Sequence, residues 1–190
     1  MSTCTFRYAA GVVRWLDEEE ARAWRSFLLM KRLLERGVDR QLMAESGLSA
    51  ADYELLVPLS ESPGRRLRPR DLGRAADWER SRLSHQLKRM EARGLIERQE
   101  CPTDARGTVI VLTESGMAAL EEAAPAHVAW VRDHFVDIVG RQDLSRLADI
   151  AERVAGSLAQ EREEVCPARA ACFPEGESPL ETEAVTPADR

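Results

Sequence analysis

The run from Arg65 to Thr113 constrains the fold more than any other part of the chain. It reads RRLRPRDLGRAADWERSRLSHQLKRMEARGLIERQECPTDARGTVIVLT. A short basic start leads into one helix signal, then a second, then two strand-like runs joined by a turn. In the second helix Leu83, Leu87 and Met90 recur at i, i+4 and i+7 and define one apolar face. Asp77 is placed to cap its start and Gly94 its end. At about 100° per residue the opposite face carries Ser81, His85, Lys88 and Arg89, with Arg82 and Ser84 on the flanks. Arg and Lys suit guanine acceptors, Ser suits either kind of partner, and all of them suit phosphate, so the set fits readout of a DNA major groove. A plain solvated helix face is the competing interpretation.

The hairpin decides between them. Leu95–Glu100 and Thr108–Thr113 suit strands, and Cys101–Gly107 supplies Pro, Asp and Gly for the turn. Arg106 at the tip suits a minor groove, where a narrow channel concentrates negative potential. Asp104 is placed to hold that guanidinium in line through a charge-assisted pair. Upstream, Pro69 suits the first turn of a helix Arg70–Ala76, and Arg66–Arg68 suits a short third strand. Arg65, Arg66, Arg68 and Arg70 crowd this start; Arg68 and Arg70 are the candidates for phosphate contacts, which position rather than specify. Trp78 packs either against the preceding turn or against a sugar-phosphate edge.

These residues resemble the winged helix-turn-helix of the MarR family of transcriptional regulators, of actinobacterial type. The likeness rests on the Ser81–Arg98 run, the Asp104-x-Arg106 tip and the closing Leu112-Thr113, and extends from about Leu16 to about Leu158. It implies a homodimer that binds double-stranded DNA at a pseudo-palindromic operator, with a helix in the major groove and the wing in the minor groove. It also implies control by a small ligand or by oxidation. Repression is the default mechanism. The implied fold is mainly α with a small β-hairpin wing, a winged helix-turn-helix plus a helical dimerisation module. The implied ligand crevice lies between the dimerisation helices and the winged domain. Trp24, Phe27, Met30 and Tyr53 are its candidate lining, for an effector of aromatic or phenolic character; plain core is the other use for these side chains.

The flanking segments fit that plan. Residues 1–14 form an arm. Residues 15–47 form a helix with Asp17–Glu20 at its start and Trp24, Phe27, Met30, Leu34, Val38 and Leu42 at helical spacing. Leu28, Leu29 and Leu33 add a second apolar side, so this helix calls for two partners, its own domain and a second subunit. Residues 48–113 are the winged domain, opened by the capping box Ser49-Ala50-Ala51-Asp52, with Pro58 expected to kink or shorten its first helix. Residues 114–160 hold two further amphipathic helices, the first capped by Thr113 and bent or restarted at Pro125, the second opening at Gln142 or Asp143. Residues 161–190 hold eight acidic and three basic residues and four prolines, and are expected to be a disordered acidic tail.

Composition narrows the function classes. Net charge is −6, yet residues 65–106 hold twelve Arg or Lys against seven Asp or Glu, so the basic character is local. The N-terminal residues lack a signal-peptide core and no stretch reaches bilayer length, so a cytoplasmic protein with no membrane partner is expected. Cys4, Cys101, Cys166 and Cys172 form no Cys-x-x-Cys and have no His cluster beside them, so neither a metal site nor a cofactor is expected. His127 and His134 share a helical face without a third ligand. A thiol-based sensor built on Cys4, or on Cys101 in the wing, is one alternative. A winged-helix protein-interaction module without specific DNA binding is another. No nucleophile–base pair or phosphate-binding glycine loop supports an enzyme.

Overall fold

The computed structural model describes residues 13–101 and 104–165. Within residues 13–138 an Asp17–Glu20 capping box starts α1 (Glu18–Ser46), and Gly47 at φ 66° ends it in the left-handed conformation that glycine adopts without penalty. A second capping box, Ser49–Asp52, starts α2 (Ala50–Glu61). A 3₁₀ turn over Pro63–Arg65 then leads into β1 (Arg66–Leu67), α3 (Pro69–Ala75), α4 (Arg80–Ala92), β2 (Ile96–Cys101), β3 (Asp104–Leu112) and α5 (Glu114–Val131). A π-helical turn over Arg132–Val136 and the stub α6 (Asp137–Val139) follow. The sheet has the order β1-β3-β2 and is antiparallel throughout, with Arg66 opposite Val111 and Ile96 opposite Leu112.

Leucine supplies most of the core. Leu55, Leu56 and Leu59 of α2, Leu72 of α3, Met90 of α4 and Ile110 of β3 are all at 0% exposure. Helix α2 therefore packs against the other two helices and the sheet. Only Gln41 and Leu42 of α1 are buried, whereas Trp24, Phe27, Leu29 and Leu33 are each about half exposed or more. Further along, Gly37 admits the ring of Trp130, whose Cζ2 would lie 2.4 Å from a Cβ at that position. Helices α1 and α5 consequently approach closely there.

Several boundaries differ from expectation. Helix α2 continues through Pro58 to Glu61, and α5 continues through Pro125 to Val131. Pro125 and the residue one turn before it, Glu121, are both exposed, so water can serve the carbonyl that proline leaves unbonded. The departure from regular helix comes later, at Arg132–Val136. The expected seven-residue hairpin turn is shorter, because β2 reaches Cys101 and β3 begins at Asp104, with a register shift between Glu100 and Cys101.

The unit from residue 139 onward contains α7 (Arg141–Val165), which starts one to two residues earlier than expected, after Gly140 at φ 75°. The Gly140 carbonyl accepts from the amides of Asp143 and Leu144. This helix also carries five residues assigned above to the acidic tail, through Val165. Ile150, Val154 and Leu158 form an exposed apolar row along it. The rest of that tail and most of the N-terminal arm, with Cys4, Cys166 and Cys172, lie outside the described residues. Among the described residues no helix is long and apolar enough to cross a membrane.

One residue ties the wing to the helices on either side. The Thr113 hydroxyl caps α5 by accepting from the Gly116 amide at 2.9 Å, and it lies 2.7 Å from the Gly94 carbonyl and 3.0 Å from that of Leu95. Thr113→Ala should lower unfolding stability by about 1–2 kcal/mol, the range for loss of a helix cap. Thr113→Ser, which keeps the hydroxyl, should recover most of this in urea titrations.

Candidate nucleic-acid interface

Helices α3 and α4 pack closely because Gly73 is buried beneath them; a Cβ there would lie 3.2 Å from Leu83 Cδ2. The chain turns between them through Asp77 at φ 51°, and the Trp78 amide donates to the Gly73 carbonyl at 2.8 Å. Asp tolerates the left-handed region better than most residues. Asp77 is thus used for the turn and not, as expected, for the cap: Glu79 holds the N-cap position and makes no side-chain cap bond. Trp78 packs inward at 8% exposure and offers its ring to Arg82, whose guanidinium carbon sits 3.7 Å from the ring centroid. That stacking restrains one of the candidate contact residues at the start of α4.

The outward face of α4 is as the periodicity requires. Ser81, Arg82, Ser84, His85, Lys88 and Arg89 are all exposed, while Leu83, Leu87 and Met90 are buried. Arg68 and Arg70 are exposed at the start of α3, where the Arg68 carbonyl accepts from the amides of Asp71 and Leu72. The backbone of Asp104 and Arg106 belongs to β3, and their side chains, with that of Cys101, lie outside the described residues. Arg98 of β2 pairs with Glu91 of α4 at 3.4 Å, which links the hairpin to that helix.

A buried polar group beneath α4 escaped the sequence reading. Asp52 is at 1% exposure and Gln86 at 3%. Gln86 Nε2 donates to Asp52 Oδ1 at 2.6 Å, and Arg93 Nη1 donates to Asp52 Oδ2, also at 2.6 Å. Arg93 Nη2 reaches the Gly47 carbonyl at 2.7 Å, and Arg89 Nη2 donates to Gln86 Oε1. One signal was present. Residue 86 falls on the buried stripe between Leu83 and Met90, where a polar residue needs a buried partner.

The four candidate ligand residues fall in two places. Trp24 and Phe27 stack at 5.9 Å between centroids on an exposed stretch of α1, with Met30 at 37% exposure beside them. Tyr53 packs instead on His127 of α5 at 4.6 Å, and His127 Nδ1 lies 3.4 Å from Gln41 Oε1. Gln41 is about 21 Å along α1 from Phe27 at about 1.5 Å per residue. The two groups therefore do not line one cavity within the chain. His134 stacks on Trp130 at 4.4 Å, so the two histidines are engaged separately. Among the described residues no group of His, Cys, Asp or Glu could hold a metal ion. Burial pushes the His127 imidazole below its ordinary value and the Tyr53 phenol above its own.

Two packed helices with a cationic outer face, followed by a braced hairpin, define a winged helix-turn-helix protein. Comparison with known proteins gives the family. A MarR family profile matches residues 46–107. AbsC, a MarR family transcriptional regulator from Streptomyces coelicolor, is 42% identical, with a TM-score of 0.74 over 78% of this chain and 99% of that one. Sco3205, a MarR family regulator from the same organism solved in complex with DNA, is also 42% identical, with a TM-score of 0.74 over 77% of this chain and 92% of that one. The HTH-type transcriptional repressor YetL of Bacillus subtilis is 26% identical over 59% of this chain and 69% of its own length. The chain belongs to the MarR family and is a transcriptional regulator of MarR type.

The His127 environment has a pH consequence. A lowered folded-state pKa means that the unfolded chain binds the proton more readily below about pH 6.5. Stability should therefore fall as pH drops through that value and level off above it. Urea midpoints between about pH 5 and about pH 8 should show this slope reduced in His127→Gln.

Proposed function

We propose that the protein is a homodimeric, sequence-specific DNA-binding repressor. Each subunit places Ser81–Arg89 in a major groove, with Arg106 of the wing in the flanking minor groove. The carrying observation is the outward face of α4, cationic and hydrogen-bonding throughout and set beside the hairpin. Arg68 and Arg70 contact phosphate and set register. The DNA complex of the Streptomyces relative and the repressor role of the Bacillus relative support this reading.

Dimerisation is supported by apolar surface left uncovered in one chain. Trp24, Phe27, Leu29 and Leu33 of α1 and Ile150, Val154 and Leu158 of α7 are each about half exposed. Such surface on two long helices calls for a partner helix. In this reading residues 15–47 and 114–160 form the dimerisation module, residues 48–113 the DNA-binding domain, and residues 161–190 an acidic tail. Two-fold symmetry then demands a pseudo-palindromic operator with half-sites about one helical turn apart. An effector of aromatic or phenolic character releases the DNA by favouring a different spacing of the two reading helices. The Trp24–Phe27 stack supplies a flat apolar surface for it.

Fluorescence anisotropy with DNA from upstream of the protein's own gene tests this. Binding should be at least about a hundredfold tighter than to unrelated DNA. Arg106→Ala and Lys88→Ala should each weaken it by about fivefold or more. Sedimentation should give twice the chain mass. Equal, weak and salt-sensitive binding to both DNAs, from a monomer, would favour a protein-interaction module instead.

A further inference from the structure

The geometry points to Asp52 and Gln86 as positioning residues that set the pose of Arg89 for DNA recognition. This rests on the proposed role of α4 in reading DNA.

A buried amide on an otherwise apolar helix stripe is not needed to hold a fold together. An apolar pair of similar volume at positions 52 and 86 would pack as well and leave nothing unsatisfied. Gln86 sits at 3% exposure in such a stripe, flanked by Leu83, Leu87 and Met90. Its two polar atoms face different partners. Nε2 donates to Asp52 Oδ1 at 2.6 Å, and Oε1 accepts from Arg89 Nη2. A carboxylate only accepts, so it admits one orientation of the amide; the flipped orientation would set oxygen against oxygen. Asp52 thereby fixes which end of Gln86 meets Arg89.

Asp52 is itself held by several donors. Its Oδ2 accepts from the Ser49 amide at 2.9 Å, the Ser49 hydroxyl at 2.8 Å and Arg93 Nη1 at 2.6 Å. A relay thus runs from the start of α2, through the interior, to an arginine on the exposed face of α4. Arginine carries five N–H donors in a fixed fork, and Gln86 Oε1 takes one, which leaves the others for a guanine edge or a phosphate. Holding a rotamer-rich side chain in place before binding removes an ordering cost that would otherwise weaken affinity about threefold to tenfold.

The test is a double-mutant cycle on a duplex selected from a random pool by the wild-type protein. Gln86→Met keeps length and apolar volume and removes both hydrogen bonds. It should weaken binding to the selected duplex by about threefold to tenfold and lower the ratio of specific to non-specific affinity by the same factor. Arg89→Ala should weaken it by about fivefold or more. The double variant should match Arg89→Ala to within about twofold, because Gln86 acts only through Arg89. A purely structural role for Gln86 would instead make the two losses multiply, and that outcome overturns the inference. So does unchanged or tighter binding by Gln86→Met while urea titrations report an intact fold. If Arg89→Ala binds normally but Lys88→Ala does not, the inference falls and the DNA-reading role of α4 stands. If neither weakens binding, or no duplex is selected, both fall.

Discussion

The carboxylate of Asp52 is the interaction on which the geometry of the reading surface depends. A buried anion is costly unless several donors converge on it. Here they come from three parts of the chain. Ser49 defines the start of α2, Gln86 enters the middle of α4, and Arg93 closes its end. Leucine contacts between the same helices are non-directional and tolerate small rotations and slides. The polar contacts do not. Sliding α4 along its axis would withdraw Arg93 from the carboxylate. The same carboxylate completes the Ser49 capping box, so the group that caps α2 is also the one α4 meets. Apolar burial stabilises the domain, while Arg93 on this carboxylate ties the end of α4 to the start of α2 and Gln86 on it sets the pose of Arg89.

The wing is held by a second set of directional contacts, at its root. Gly94 at φ 73° ends α4, and the Leu95 carbonyl then accepts from the Thr113 amide at 3.2 Å. A Cβ on Gly116 would lie 2.0 Å from that same carbonyl. Only glycine lets the start of α5 come this close to the start of the hairpin. The hairpin thus leaves and rejoins the helical body at one locked junction, and the Arg98–Glu91 pair adds a brace further out. The root of the wing is thereby tied to the end of α4 and the start of α5.

The parts legible in the sequence were those governed by periodicity and local capping. The outward and inward faces of α4, the Ser49–Asp52 capping box, the Thr113 cap and the short β1 strand follow from rules that act within a few residues. The rest depended on contacts between elements. Asp77 is the favoured cap by composition, yet it takes the left-handed turn between α3 and α4, and Glu79, which makes no side-chain cap bond, holds the N-cap position. Gln86 looked like an ordinary polar residue because its partner, Asp52, is 34 positions away. Trp78 was open to packing or to a sugar-phosphate edge, with packing favoured, and the fold places it inside. Tyr53 looked like a companion to Trp24 and Phe27, but α1 is long enough to carry those two away from it.

Charge placement shows why composition alone misjudges such a surface. The net charge of −6 conceals a segment, residues 65–106, with twelve basic and seven acidic residues. Screening confines that local excess to about 8–10 Å, so only DNA close to this face experiences it as attraction. Yet at least three of those twelve cations already have internal partners. Arg93 is held by Asp52, Arg98 by Glu91 and Arg65 by Glu114. They hold α4, the hairpin and the turn before β1 in place, and in doing so are less available to phosphate. Counterion release scales with the phosphates actually neutralised, so the salt dependence of binding follows the cations left over, not the raw count. The basic segment therefore divides its arginines between those paired internally and those exposed on the outer face, and Arg89, joined to the buried network yet exposed on α4, belongs to both groups.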